Sequence, residues 1–371
     1  MKKYIYQYPG YPDFTWDKKR ILNLLTQTAA LQGRILGKMQ QFGFGTQQET
    51  MLNALTEEIL KSNEIEGEIL NSEQVRSSLA KKLKIEQAIG KVASVRIEGI
   101  VDSMYDAVKN FKESVTKTRL CGWQASLFPS GYSGMNKINT GKYRSGEMQI
   151  VSNRYGNDIV YYQAPSPKDI SLQMKNFLTW FNKDNNENPH LKAAIAHLWF
   201  VIIHPFDDGN GRLARIITEM LLARAENTSL RFYSMSAQIQ KEKKDYYRVL
   251  EFTTAGQKNL DITEWLVWFF SCLNRSMEAS EEIAGNVLKK AMFWQKNVKS
   301  ITNTTQQDII NRLFDGFEGN LTTGKTAKIY KISQDTAARL LKDLVEKGFM
   351  EVHGSGRSTH YVLINSWTIP G

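Results

Sequence analysis

Between two apolar runs, PHLKAAIAHLWFVII and RLARIITEMLLARAE, the chain reads HPFDDGNGRLAR, from His204 to Arg215. Ile195, Leu198, Trp199 and Ile202 share one helical face, which predicts a helix over Pro189–Ile203. Pro205 ends it, Phe206 is expected to anchor the connection in the core, and a second helix is predicted over Arg212–Glu226. Gly209 and Gly211 bracket Asn210 at the start of that second helix. Small residues there let backbone N–H groups converge, and the helix dipole adds to them, so the turn is suited to phosphate. Asn210 tolerates the left-handed conformation such a turn can need. Arg212 and Arg215 lie three apart and can reach the same anion, and two arginines suit a polyphosphate. Asp208 beside such an anion is how Mg²⁺ is commonly held, with waters and phosphate oxygens as its other ligands. Asp207 is expected to point elsewhere. His204 has the ordinary pKa, about 6.5, of a general base at neutral pH. A single histidine at a helix end, or an isolated GNG, is ordinarily structural. Here every element serves one anion, which points to phosphoryl or nucleotidyl transfer.

HPFDDGNGRLAR also matches, position by position, the signature H-x-F-x-[DE]-G-N-G-R-x-x-R, so the chain resembles the Fic family over roughly residues 60–275. The resemblance implies an adenylyltransferase, which moves AMP from ATP to a Ser, Thr or Tyr hydroxyl of a target protein or of itself and releases pyrophosphate. It implies His204 as the base and Asp208 as the holder of Mg²⁺ or Mn²⁺. Gly209, Asn210 and Gly211 would cradle phosphates, Arg212 and Arg215 would bind the β- and γ-phosphates, and Leu213 and Ala214 belong to the same ATP-binding stretch. Gly209, where the family's kinase-like toxin branch has Ala, favours nucleotidyl over phosphate transfer.

Two β-like runs, Glu147–Ser152 and Asp158–Gln163, predict a hairpin. It resembles the family's flap, with Val151, Ser152 and Asn153 nearest the nucleotide. An exposed strand edge can align an extended segment of the target protein by main-chain hydrogen bonds. Tyr246 and Tyr247 match a pair that lies by the adenine or ribose in relatives, although a tyrosine pair alone more often packs a core. Upstream, SNEIEGEIL places Ser62, Glu66 and Gly67 on the pattern [ST]-x-x-x-[EQ]-[GN], the family's inhibitory motif, on a helix spanning about 55–70. Glu66 could pair with Arg215 and fill the space of the γ-phosphate. A misplacement of about 1 Å can cost roughly 100-fold in rate. Relatives of this arrangement also remove AMP with the same glutamate.

The 371 residues predict two or three domains: a helical region over 1–112, a core over 113–298 and a C-terminal domain over 299–371. The first twenty residues look extended or hairpin-like, and three to five helices are expected from Arg20 to Phe111. Residues 116–145 carry turn signals. Helical patterns at Gln306–Phe317, Thr323–Tyr330 and from Ser333, followed by a basic hairpin, are the order of a winged helix-turn-helix. That domain is open to DNA, to a protein partner or to pairing of two copies. GNLTTGKT, Gly319–Thr326, satisfies the P-loop expression, but it follows an amphipathic helix instead of a buried strand, and Lys325 belongs on the second helix of the winged domain. The formal net charge of +10 favours anionic partners. Two cysteines make no disulfide framework, and no run is long and apolar enough for a membrane span, so a reducing, cytoplasmic setting is expected. The fold expected is mostly α: a helical core with a small hairpin flap and a C-terminal winged domain. Two other readings are net removal of AMP at the same site and a DNA-binding regulator with a nucleotide-sensing core.

Overall fold

The computed structural model describes residues 3–85, 90–154, 157–183, 187–256, 259–314, 317 and 319–364. It divides into two compact units, Met1–Ser280 and Glu281–Gly371, with the division inside one long helix.

The first unit opens on a single 3-10 turn at Ile5–Gln7 instead of a hairpin, followed by α1 (Lys18–Gln40) and α2 (Phe44–Ile65). Next come α3 (Ser72–Leu83), α4 (Val95–Lys109) and α5 (Lys117–Leu127). Helix α5 lies where turns were expected. Thr116 caps it by accepting from the Arg119 N–H, and Leu120, Trp123, Gln124 and Leu127 face inward. Two antiparallel hairpins follow, β1–β2 (Tyr132–Ser133, Asn136–Lys137) and β3–β4 (Gln149–Arg154, Asn157–Gln163). Then come α6 (Pro167–Asn182), α7 (Pro189–Ile203), α8 (Asn210–Glu226), α9 (Met235–Lys241), α10 (Lys243–Glu251) and α11 (Thr263–Asn297).

Helix α7 occupies the centre. Apart from Pro189 and Val201 all its residues are buried, which fits a helix that is apolar all round. It packs along α8, whose Leu213, Ile217, Met220 and Leu222 are fully buried. Helix α2 is fixed to the core at mid-length. Its buried Glu58 carboxylate accepts from the Ser234 and Ser236 hydroxyls and from the Ser236 N–H, 2.8 Å away, at the N-terminus of α9. A carboxylate there satisfies donors that helix geometry leaves open and complements the dipole.

The second unit contains α12 (Thr304–Phe314), α13 (Thr323–Tyr330), α14 (Gln334–Glu346) and the antiparallel pair β5 (Met350–His353) and β6 (His360–Leu363). Leu321 bridges to Tyr361 beside the pair. Ile309, Ile310, Leu341, Leu344 and Phe349 form its core. Lys325 lies on α13, in the first turn, where its N–H donates to the Thr322 cap, with its ammonium over the Phe317 ring. Among the described residues no helix is long and apolar enough to cross a membrane. Cys121 and Cys272 are buried and unbonded.

Candidate active site

His204 caps the C-terminus of α7 in the left-handed region, with φ 49° and ψ 60°. A non-glycine residue there is uncommon, and it turns the imidazole out of the helix. The Nδ1 atom lies 3.3 Å from the Val201 carbonyl, which can only accept, so Nδ1 carries the proton and the Nε2 lone pair is available. His197, two turns earlier, differs. Both its nitrogens are engaged, with Thr218 and Tyr246 at 2.9 Å each, so it is a core residue. Burial lowers the His204 pKa to about 4, with the Arg144 charge acting in the same direction and the Val201 hydrogen bond, Glu66 and Asp208 opposing.

Phe206 is fully buried against the Tyr143 ring. The left-handed residue of the turn is Gly209, with φ +87°, and not Asn210. A Cβ at Gly209 would also crowd Phe128 and Leu127 of the segment ending α5. Asn210 instead begins α8 with its side chain buried. Its Oδ1 accepts from the Phe206 N–H at 3.0 Å and its Nδ2 donates to the Phe206 carbonyl at 2.8 Å, which locks the loop. Leu213 and Ala214 face the core, so only their main chain is near the turn. Asp207 turns away and accepts from the main-chain and side-chain N–H of Asn139, at 2.9 Å each. Asp208 stays half exposed, accepts from the Ser133 hydroxyl of β1 and lies 3.8 Å from Arg212.

The two arginines are almost wholly buried. Arg215 donates through Nε to the Ser62 hydroxyl at 2.8 Å, and through Nη2 to the Ser62 carbonyl at 2.7 Å and to Glu66 Oε1 at 2.8 Å. Arg212 lies over the Phe128 ring and donates to Glu68 at 2.8 Å. Glu68 also pairs with Arg96. Two buried donors at this place, Arg212 Nε and Arg215 Nη1, have no partner. Burial draws the Arg212 pKa down, whereas at Arg215 burial, the largest single influence, is outweighed by the Glu66 charge and hydrogen bond together with Tyr246 and Tyr247, and the pKa rises. Gly67 explains how one short segment reaches both arginines. With φ +82° it ends α2 in a left-handed turn, closed by Gly67 N–H to Glu64 O and Glu68 N–H to Asn63 O, which carries Glu68 back toward Arg212. A Cβ on Gly211 would collide with the Glu66 carboxylate, so that carboxylate rests on the glycine at the start of α8.

Tyr246 is buried beside His197, and Tyr247 is partly exposed with its hydroxyl 3.5 Å from the Ile65 carbonyl. Val151, Ser152 and Asn153 lie on β3 opposite Val160, Ile159 and Asp158, and their side chains are outside those described. Glu68 and Arg144 belong to the site by position and were not singled out from sequence. For Glu68 the signal was its spacing, two residues past Glu66. Among the described residues no cluster of three or more His, Cys, Asp or Glu is placed to hold a metal.

Residues 4–85 match a family described as a domain of unknown function, DUF4172, and residues 114–222 match the Fic/DOC family. The motif loop lies within the residues of the second match. Similar proteins include the protein adenylyltransferase Fic of Nematostella vectensis, 30% identical over 144 residues, which are 38% of this chain and 29% of that protein. The protein of the same name from Drosophila melanogaster is 31% identical over 146 residues, 39% of this chain and 26% of that protein. The chain thus spans less than a third of the length of these relatives. A Fic family protein from Desulfovibrio desulfuricans G20 has the same fold, with a TM-score of 0.55 at 20% identity over 95% of this chain and 98% of that one. A Fic domain containing signaling protein from Bacteroides thetaiotaomicron gives 0.50 at 20% identity, over 71% of this chain and 96% of that one.

Proposed function

We propose that the chain is a self-inhibited protein adenylyltransferase, which transfers AMP from ATP to a hydroxyl of a target protein or of itself. The observation that carries this reading is the carboxylate of Glu66, lying on Gly211 and paired with Arg215 where the start of a helix, two buried arginines and two partnerless donors call for a polyanion.

In the transfer, the acceptor oxygen attacks the α-phosphorus of ATP. An O–P bond forms, the bond from the α-phosphorus to the bridging oxygen breaks, pyrophosphate leaves, and the acceptor proton passes to His204 Nε2. Arg212, Arg215 and the turn at Gly209–Gly211 hold the phosphate chain. Asp208 fits Mg²⁺ or Mn²⁺, because a half-exposed single carboxylate leaves the other positions to phosphate oxygens and water. A bound Mg²⁺ would supply neutralisation of phosphate charge. Glu66 and Glu68 hold the two arginines until nucleotide displaces them. The edge of the β3–β4 hairpin lines up the acceptor segment, and Tyr247 borders the nucleotide. In the opposite direction, water at the same site would attack the phosphorus of a target's AMP ester, the bond to the target oxygen would break, AMP would leave and the target hydroxyl would regain its proton; release of AMP from a labelled target measures that direction.

The second unit, with three helices and a hairpin, supports a winged helix-turn-helix reading. Lys328, Lys331, Arg339 and Lys342 are exposed there, and DNA or a protein is its partner. The buried, unbonded cysteines suit a cytoplasmic setting.

The position of the label decides the group transferred. Incubation of Glu66→Gly with Mg²⁺ and ATP is expected to leave label on protein from the α-phosphate and none from the γ-phosphate. Label from the γ-phosphate would make the chain a kinase and overturn the reading. The pH profile carries a second expectation. His204 titrates near pH 4, so the base stays neutral down to about pH 5. The ratio kcat/KM of Glu66→Gly at saturating Mg²⁺ should therefore vary less than about threefold between pH 5.5 and 7.5. An acid limb centred near pH 6.5 would mean that the base is an ordinary exposed imidazole.

A further inference from the structure

The C-terminal carbonyls of a helix have no partner within it, and the left-handed turn at His204 leaves those of α7 to be met from outside. The His204 main-chain N–H and Nδ1 meet those of Phe200 and Val201, and the groups that bond the Ile202 and His204 carbonyls come from the β3–β4 hairpin or its approach. Tyr162 of β4 donates its hydroxyl to the Ile202 carbonyl at 2.7 Å. Arg144 donates Nε to the His204 carbonyl at 2.8 Å. The Arg144 guanidinium is buried and continues to both roots of the hairpin, with Nη1 to Gly146 O at 2.7 Å and Nη2 to Pro165 O at 2.5 Å. Its own N–H donates to the Pro205 carbonyl at 2.9 Å. The roots are joined directly by Ala164 N–H to Met148 O at 2.9 Å. A planar guanidinium can address three carbonyls at fixed angles, which an ammonium cannot. A cation is also the favoured charge at a helix C-terminus.

We propose that Arg144 is a positioning residue for the transfer: it fastens the turn that bears His204 to both roots of the β3–β4 hairpin, so that the strand edge presenting the acceptor and the imidazole taking its proton move as one body. The proposal rests on the transfer reading above. It separates two parts of the site. The phosphate cradle at Gly209–Arg215 is set by α8 and by the end of α2, whereas acceptor and base are referred to each other through Arg144. Loosening that tie spreads the distance between acceptor oxygen and Nε2, and about 1 Å costs on the order of 100-fold in rate.

The test compares Arg144→Met, Arg144→Lys and Tyr162→Phe, each with Glu66→Gly. It reads label incorporation from ATP labelled on the α-phosphate, Mg²⁺–ATP affinity by calorimetry, and amide hydrogen exchange. Arg144→Met is expected to lower the incorporation rate about 30- to 100-fold while ATP affinity changes less than about threefold. Exchange at Ala164 should rise at least about tenfold, with Leu213 and Ala214 on α8 unchanged. Arg144→Lys should recover part of the rate. Tyr162→Phe, which loses one hydroxyl and keeps the ring, should lower the rate about fivefold and serves if Arg144→Met does not fold. An unchanged rate in the folded variants overturns the proposal. So does a parallel loss of rate, ATP affinity and protection on α8, which would make Arg144 a general scaffold residue. If the Glu66→Gly parent takes no label at all, the transfer reading fails. The exchange data then decide alone whether Arg144 ties the roots to the turn, and unaltered exchange at Ala164 rejects it.

Discussion

Given Mg²⁺ and ATP labelled on the α-phosphate, Glu66→Gly becomes labelled, or labels proteins of a lysate, at least about 100-fold faster than the unaltered chain. Two effects add. The carboxylate resting on Gly211 leaves the start of α8, and Arg215 regains the Nη2 donor now held at 2.8 Å, beside the Nη1 donor that already has no partner. A phosphate chain held about 1 Å out of line would react roughly 100-fold more slowly, and a carboxylate against phosphate oxygens adds like-charge repulsion. Breaking a buried ion pair usually costs about 3–5 kcal/mol. Here the Ser62 hydroxyl and carbonyl still bind Arg215, so the loss should be smaller and the variant should fold. Mg²⁺–ATP should raise its melting temperature more than that of the unaltered chain, because binding to the folded state stabilises it by mass action. A folded Glu66→Gly that gains neither label nor ATP-dependent stabilisation would remove the basis for both inhibition and transfer. Glu66→Gln keeps the shape without the charge and should fall between the two.

Removing the imidazole is the second large effect. In the Glu66→Gly chain, His204→Ala should lose about 10²–10⁴-fold in incorporation, the usual contribution of a positioned general base. ATP affinity should stay within about threefold, because His204 holds no phosphate in this scheme. Alanine at φ 49° carries a backbone strain of about 1 kcal/mol, which confuses loss of the base with disturbance of the turn. Asparagine tolerates that conformation and supplies no base. His204→Asn should therefore match His204→Ala in rate and exceed it in melting temperature. If His204→Asn retains more than about a tenth of the rate, the proton leaves by another route.

The centre of the molecule was legible because its signals are local. The spacing over Pro189–Ile203 and the proline after it bounded α7 to the residue. The glycines, Asp208 and the arginines form one continuous run, so one helix start brings them together. Glu66 is distant in sequence, yet the pattern with Ser62 and Gly67 pointed to it, and its place against Arg215 is the one expected. What escaped depends on tertiary contact. Helix α5 was hidden because its apolar positions are few, it contains Gly122, and turn residues follow it closely. Arg144 reads as one more basic residue in a loop, and nothing in GKYRSGE says that the distant carbonyls of His204 and Pro165 will join that of Gly146 around it. Asn210 invites a left-handed assignment by residue type. Gly209 takes that conformation at less cost, which frees the amide to brace Phe206. Tyr246 was balanced between nucleotide and core, and its contact with His197 is a core contact.

Glu58 and Glu66 lie two turns apart on the same helix, and the first is locked to α9. On the self-inhibited reading proposed above, Glu66 is therefore not a lid that swings away but a tethered rival for the nucleotide. Tethers of this kind act like a free competitor at an effective concentration on the order of millimolar. Dilution cannot release it, and making more of the protein cannot strengthen it. Its setting answers to the supply of ATP and to whatever shifts the last turn of α2, so every copy of the chain carries the same threshold however scarce or abundant the protein is.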